Sequence, residues 1–270
     1  MERLRWLLLV GLLAMFPFHT FAQMGIQVDT NEVRLLDVTP GQTETGTLRV
    51  TNKSGRNFTI KTSLGEFTYQ APFAGARIPL PAGSISRSSA EWISVTPSVF
   101  DLAPGETKEV AYSVKVPEGV TGGYYSMLFF EFSPAAIEGR IGVGVNVRIG
   151  CAFFVETADK DKGAAIEDIS VRDNTLNASF SNTGNVIMIA KGSYYAMDDQ
   201  GMVIDRGKIK DIYLPMEEKA PFKIDLSSAL GQGKYTLVIT FDLGEGDALV
   251  KEIDFSKSTQ GTIKILATSD

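Results

Sequence analysis

Residues 92–132 read WISVTPSVFDLAPGETKEVAYSVKVPEGVTGGYYSMLFFEF, and a shorter version of this stretch returns at 214–243 as LPMEEKAPFKIDLSSALGQGKYTLVITFDL. In each copy a Leu and a Pro lead through an acidic turn (Leu102, Pro104, Glu106; Leu214, Pro215, Glu217) into an apolar strand. A Gly-rich turn and a Tyr then open a second strand, with nearly equal spacing from Leu102 to Tyr124 and from Leu214 to Tyr235. Upstream of each copy lies a strand, a turn and another strand, RVTNKSGRNFTIK at 49–61 and SFSNTGNVIMIAK at 179–191. An Asn and a Gly mark both turns, as hairpins favour. A repeat of this length predicts two similar domains rather than a solenoid.

Strand signals dominate the rest of the chain. Runs such as Ile26–Val28, Val33–Val38, Phe58–Thr62, Glu109–Val116 and Ile141–Phe154 are rich in β-branched and aromatic residues, and Pro40-Gly41, Ser54-Gly55, Pro104-Gly105 and Gly122-Gly123 punctuate them. No window sustains an apolar period of 3.6. The expected fold class is all-β, with two immunoglobulin-like β-sandwich domains in tandem. Their expected limits are 23–157 and 164–255, joined by a charged linker at 158–163 and followed by a tail at 256–270. The stretch 65–90 has no evident counterpart in the second domain. It reads as an extended excursion pinned by Phe67, Tyr69, Phe73, Ile78 and Leu80, packed on its own domain or reaching a partner.

Residues 1–22 read as a secretory signal, with Arg3 and Arg5, an apolar core from Trp6 to Phe16, and Thr20-Phe21-Ala22 before a cleavage point at Gln23. The apolar run is shorter than the roughly 20 residues of a membrane span, so no membrane insertion is expected. Removing the segment takes away two Arg and one Glu, and the formal charge moves from −6 to −7. That balance argues against nucleic acid as a partner. His19 is the only histidine and lies inside the signal. Histidine-based nucleophile systems and histidine-ligated metal sites are therefore excluded from the mature chain, and no catalytic residue, metal or cofactor is expected. Cys151, the only cysteine, reads either as a buried structural thiol or as a reactive or intermolecular one.

The strand with the sharpest pattern is IGVGVNVRIG at 141–150. Ile141, Val143, Val145, Val147 and Ile149 fall on one face, and Gly142, Gly144, Asn146, Arg148 and Gly150 on the other. The β-branched ridge reads either as filling the domain's own core or as an edge strand offered to another protein by strand addition. Such an edge would also permit self-association.

The signal-like start, the two repeats, the ISVTP, FDLAPGE, VKVPEG and GGYYSMLFFEF segments and the alternating strand after them resemble the periplasmic pilus-assembly chaperones of the chaperone-usher system. The likeness is to divergent forms in which a Gly-Glu-Tyr-type turn opens the sixth strand. The pattern also resembles Gram-positive surface proteins with a peptidoglycan-binding, immunoglobulin-like module, which implies a structural envelope protein that binds cell-wall glycan or joins a larger assembly. The chaperone resemblance implies a non-enzymatic periplasmic protein whose last strand of the first domain, Ile141 to Ile149 here, completes a secreted pilin-like subunit. It also implies delivery to an outer-membrane usher. In that family two basic residues in the interdomain cleft hold the subunit's terminal carboxylate. Here Gly150 follows Arg148-Ile149 where the family has Lys, which leaves Arg34 with Arg148 as the substitute pair.

Overall fold

The computed structural model describes residues 25–132 and 146–269. Ten strands run from β1 to β10: Ile26–Val28, Glu32–Val38, Thr43–Asn52, Phe58–Tyr69, Arg77–Leu80, Ile93–Thr96, Val99–Leu102, Thr107–Lys115, Gly123–Phe132 and Val147–Thr157. They form two sheets, ordered β1-β3-β8-β6 and β2-β10-β9-β4-β5, with β7 also paired to β4. Nine more follow as β11 to β19: Ala164–Arg172, Thr175–Asn182, Met188–Asp198, Val203–Lys208, Ile212–Leu214, Lys219–Asp225, Gly233–Gly244, Asp247–Lys257 and Ile263–Ser269. Their sheets are β11-β12-β16 and β14-β13-β17-β18-β19, with β15 on β13. The chain is thus two β-sandwiches in tandem, as alternating apolar positions on short, turn-bounded strands require. No helix among the described residues is long and apolar enough to cross a membrane.

The sequence repeat is a structural repeat, pinned by one buried asparagine in each half. Asn52 Nδ2 donates to the carbonyls of Arg56 at 2.7 Å and Leu102 at 3.0 Å, while its Oδ1 accepts the Ser54 N–H. Asn182 Nδ2 donates to the carbonyls of Val186 at 2.8 Å and Leu214 at 3.0 Å, while its Oδ1 accepts the Gly184 N–H. Leu102 and Leu214 therefore hold equivalent places. The matching Tyr differs from the sequence reading. Gly123 and Gly233 open equivalent strands, and a Cβ on either would meet the ring two residues on, so Tyr235 matches Tyr125 rather than Tyr124.

Two expectations about extra segments change. The 65–90 excursion does have a counterpart: β4 continues to Tyr69 and pairs with β5, as β13 pairs with β14. The unmatched part is the loop after Leu80 and β6, which adds a fourth strand to its sheet. The tail also belongs to the second sandwich, because β19 pairs antiparallel with β18 from Lys257↔Ile263 to Glu252↔Ser269.

Two apolar clusters result. One fills the first sandwich and includes Leu48, Ile60, Val110, Leu128, Phe130, Cys151, Phe153 and Val155. The other fills the second sandwich and extends onto the outer face of β4, β9 and β10 through Phe67, Tyr69, Phe73, Tyr125, Phe129 and Phe154. The domains meet on that shared face. Tyr213 donates its backbone N–H to the Phe73 carbonyl at 2.9 Å, and its ring lies 5.3 Å from Tyr69. Gly75, at φ +93°, lies so close to the Tyr213 ring that a Cβ there would stand 2.9 Å from it. The excursion is thus packed against both halves of the chain.

Candidate functional site

Strand β10 has two different halves. On one side it pairs with β9 along its whole regular length, from Val147↔Phe132 to Glu156↔Gly123. On the other, parallel β2 covers it only from Ala152↔Glu32 onward. The chain reaches β2 by switching sheets after β1, which pairs with β3 in the opposite layer. Among the described residues, Val147–Cys151 have no strand on this second side.

Backbone groups point alternately to the two sides of a strand. The Ala152 N–H points toward β2, where the Asn31 carbonyl accepts it at 3.0 Å. By the same alternation, the N–H and C=O of Arg148 and Gly150 face the open side. An edge of this kind is a template for another strand.

The side chains alternate as well. Cys151, Phe153 and Val155 point into the first core, and Ile149 packs against it. Val147, one step further out, is 37% exposed. Val147 and Ile149, the described part of the ridge predicted from sequence, therefore share the face that lines the sandwich interior. Ile141, Val143 and Val145 lie outside the described residues.

Arg148 and Arg34 are not brought together. Arg148 stands opposite Glu131 on β9 and is ion-paired to it, with its guanidinium 4.3 Å above the Phe129 ring. The Ser63 hydroxyl, with Arg148, holds the Glu131 carboxyl below its ordinary range. Arg34 stands opposite Phe154 on the same strand, 4.2 Å above that ring, and is bonded to Glu32. Phe154 and Arg148 are six positions apart, which at about 3.3 Å per residue separates the two arginines' registers by about 20 Å. The pair expected from sequence cannot grip one carboxylate, because they occupy opposite ends of β10.

Arg34 instead faces a cleft of about 280 Å³ lined by Glu156 from β10, Lys162 from the connector, Val186 to Ile189, Lys191 and the turn from Asp242 to Glu245. The connector is held in place: Lys160 bonds Asp37 at 2.6 Å and Glu245 at 3.1 Å, and Lys162 donates to the Gly244 carbonyl at 2.9 Å. Across the same junction the Gly123 N–H donates to the Asn185 carbonyl at 2.9 Å. Glu156 is only 4% exposed, and burial pushes its carboxyl above the ordinary range against the pull of Arg34 and Lys160.

Neither a protein-family model nor a curated protein sequence matches the chain. Among solved structures it matches the class 5 fimbriae chaperone CfaA at TM-score 0.50 and 15% identity, over 84% of this chain and 97% of that one. A chain from a chaperone–tip adhesin complex of CFA/I fimbriae biogenesis matches at TM-score 0.50 and 15% identity, over 91% and 100%. The fold is that of the fimbrial chaperones. The E. coli chaperone DraB also matches, at 14% identity and TM-score 0.42, over 84% of this chain and 97% of that one.

Within this fimbrial-chaperone fold, sequence reasoning missed Arg77. It lies on β5, donates to Glu32 and to the Tyr69 hydroxyl, and completes a cluster with Arg34 over Phe154. Its sequence signal is one of two arginines in the excursion, four residues after Phe73. Nothing in the local pattern pairs it with Glu32.

Proposed function

We propose that this chain is a periplasmic binding protein of the chaperone type, which lends the open edge of β10 to a secreted, β-rich, pilin-like subunit. The observation that carries the reading is the half-covered strand: among the described residues, Val147–Cys151 are paired on one side only, while their inward face continues into the first core. Ile141, Val143 and Val145 extend the same alternation upstream and would enter the client's own core, completing its fold. Main-chain hydrogen bonds from the open side would supply affinity, and the alternating side chains would supply register. Likeness to a chain from a chaperone–tip adhesin complex supports a subunit as the partner class. An outer-membrane usher would then receive the complex.

The test is co-purification of the mature protein from its native envelope, with mass spectrometry of what stays bound. Arg148→Pro removes an N–H from the open side without removing a bond to β9, and edge positions tolerate Pro. Arg148→Ala keeps that N–H while removing the same side chain. The expected result is a stoichiometric small β-rich subunit retained by wild type and Arg148→Ala and lost by Arg148→Pro. Recovery of a dimer of this chain with no subunit bound, of wall fragments, or of the same partners with all three proteins would overturn the reading.

A further inference from the structure

The outer face of the β14-β13-β17-β18-β19 sheet carries apolar side chains that neither core absorbs. Along β13, Ala190, Tyr194 and Ala196 pack into the second sandwich, so Tyr195, between the last two, points away from it. On β17, Leu237 and Ile239 belong to that core, while Val238 between them belongs to neither cluster. Among the described residues eight large apolar side chains are exposed, and four of them lie on this sheet or in its first hairpin: Tyr195 at 38%, Met202 at 62%, Val203 at 49% and Val250 at 40%. Single exposed apolar residues are ordinary, but a group on one face marks a contact surface.

The strand registers align one row of that face across four strands. Tyr195 stands opposite Arg206 on β14 and Val238 on β17, and Val238 stands opposite Glu252 on β18. The row thus runs cation, aromatic, aliphatic, anion. Arg206 and Glu252 are both exposed, and neither takes part in an ion pair among the described residues. Their neighbours on the two middle strands, Ser193, Met197, Thr236 and Thr240, are all uncharged.

Such a row is complementary to itself. A two-fold axis parallel to the strands and midway between β13 and β17 exchanges β14 with β18, so Arg206 of one protomer meets Glu252 of the other, twice, with Tyr195 set over the Val238 position. A two-fold axis perpendicular to the strands would instead stack β14 on β14 and set its cations, Arg206 and Lys208, against each other. Five strands about 4.8 Å apart and about seven residues long, at about 3.3 Å each, offer about 550 Å² per protomer. The pair would then bury about 1,100 Å², which reaches the size of a specific interface.

We propose that the chain forms a homodimer by stacking this face of the second sandwich on the same face of a second copy, with reciprocal Arg206–Glu252 pairs fixing the orientation. The open edge of β10 belongs to the first sandwich, so the inference does not depend on it.

The test is sedimentation velocity of the full mature chain over a concentration series. Wild type is expected to dimerise. Arg206→Glu and Glu252→Arg each set like charges together at both pairs, and each is expected to weaken the dimer by about tenfold or more. An equal mixture of the two variants is expected to restore association, because each supplies the charge the other lacks. The double reversal in one chain is expected to recover the wild-type dimer, and Arg148→Pro to dimerise as wild type does, with thermal unfolding confirming that every variant is folded. A wild type that stays monomeric, single reversals that dimerise as wild type does, or a mixture and a double reversal as weak as the singles would overturn the inference. Loss of the dimer in Arg148→Pro alone would move the association to β10 and overturn it as well.

Discussion

The Tyr125 hydroxyl, on the first sandwich, accepts the backbone N–H of Ile187, on the second, at 2.6 Å. The ring is 1% exposed, and the same hydroxyl lies 3.4 Å from Glu156. Burial, then the neighbouring Glu156 charge, pushes the phenol well above its ordinary range, so it stays a neutral donor and acceptor at the junction. Tyr125→Phe leaves the Ile187 N–H buried without its partner. The expected loss is about 1–3 kcal/mol of unfolding free energy. Urea unfolding checks it, and an unchanged midpoint would show that the contact contributes nothing.

The paired asparagines make a symmetric prediction. Asn52→Ala and Asn182→Ala each strip a buried amide from two or more main-chain groups. Each is expected to cost about 1–3 kcal/mol, with the damage confined to its own sandwich. Amide exchange resolved by strand checks this: Asn52→Ala should deprotect β3 and β4, and Asn182→Ala should deprotect β12 and β13.

Two buried glutamates act on pH stability with opposite signs. Burial pushes the Glu66 carboxyl up, but the N–H groups of Gly83, Ile85 and Ser84 and the Ser88 hydroxyl outweigh it and hold the acid below its ordinary 4.5. Its contribution is full above that value and is lost as pH falls through the lower folded one. Glu156 is shifted upward by burial, so its contribution is full below 4.5 and is lost as pH rises through the higher folded value. Glu66→Gln should therefore flatten the acid limb of the stability curve, and Glu156→Gln should flatten the decline above 4.5. Denaturation midpoints from pH 3 to pH 7, a range of roughly those carboxylate values, check both.

Cys151 resolves in favour of the structural thiol. It is fully buried against the first core, and desolvation pushes it up to about 12. The folded protein is expected to leave a disulfide reagent unreacted and to react once on unfolding. Rapid labelling of the native chain would contradict this placement.

The fold was legible because the signals that make it are local. Alternation and turn residues marked β9 within one residue of its start, and the Leu102 and Leu214 equivalence follows from the same repeat. Spacing alone matches Tyr124 to Tyr235, because two adjacent tyrosines are indistinguishable until one is turned inward, and the inward one is Tyr125. The site was legible only along its strand. Alternation found the face shared by Val147 and Ile149, but it carries no information about a strand's neighbours, so the parallel cover by β2 ending at Ala152 was invisible. Arg77 and Glu32 are 45 positions apart and meet only through the folding of β5 toward β2. No spacing rule reaches such a pair.

Amide hydrogen exchange of β10, with and without the captured subunit, reads the open edge directly. Slowed exchange is expected at Arg148 and Gly150, whose N–H groups face the open side, and little change at Ile149 and Cys151, already turned toward β9. Protection that falls elsewhere on the chain, with Arg148 and Gly150 still exchanging freely, would contradict strand addition at β10.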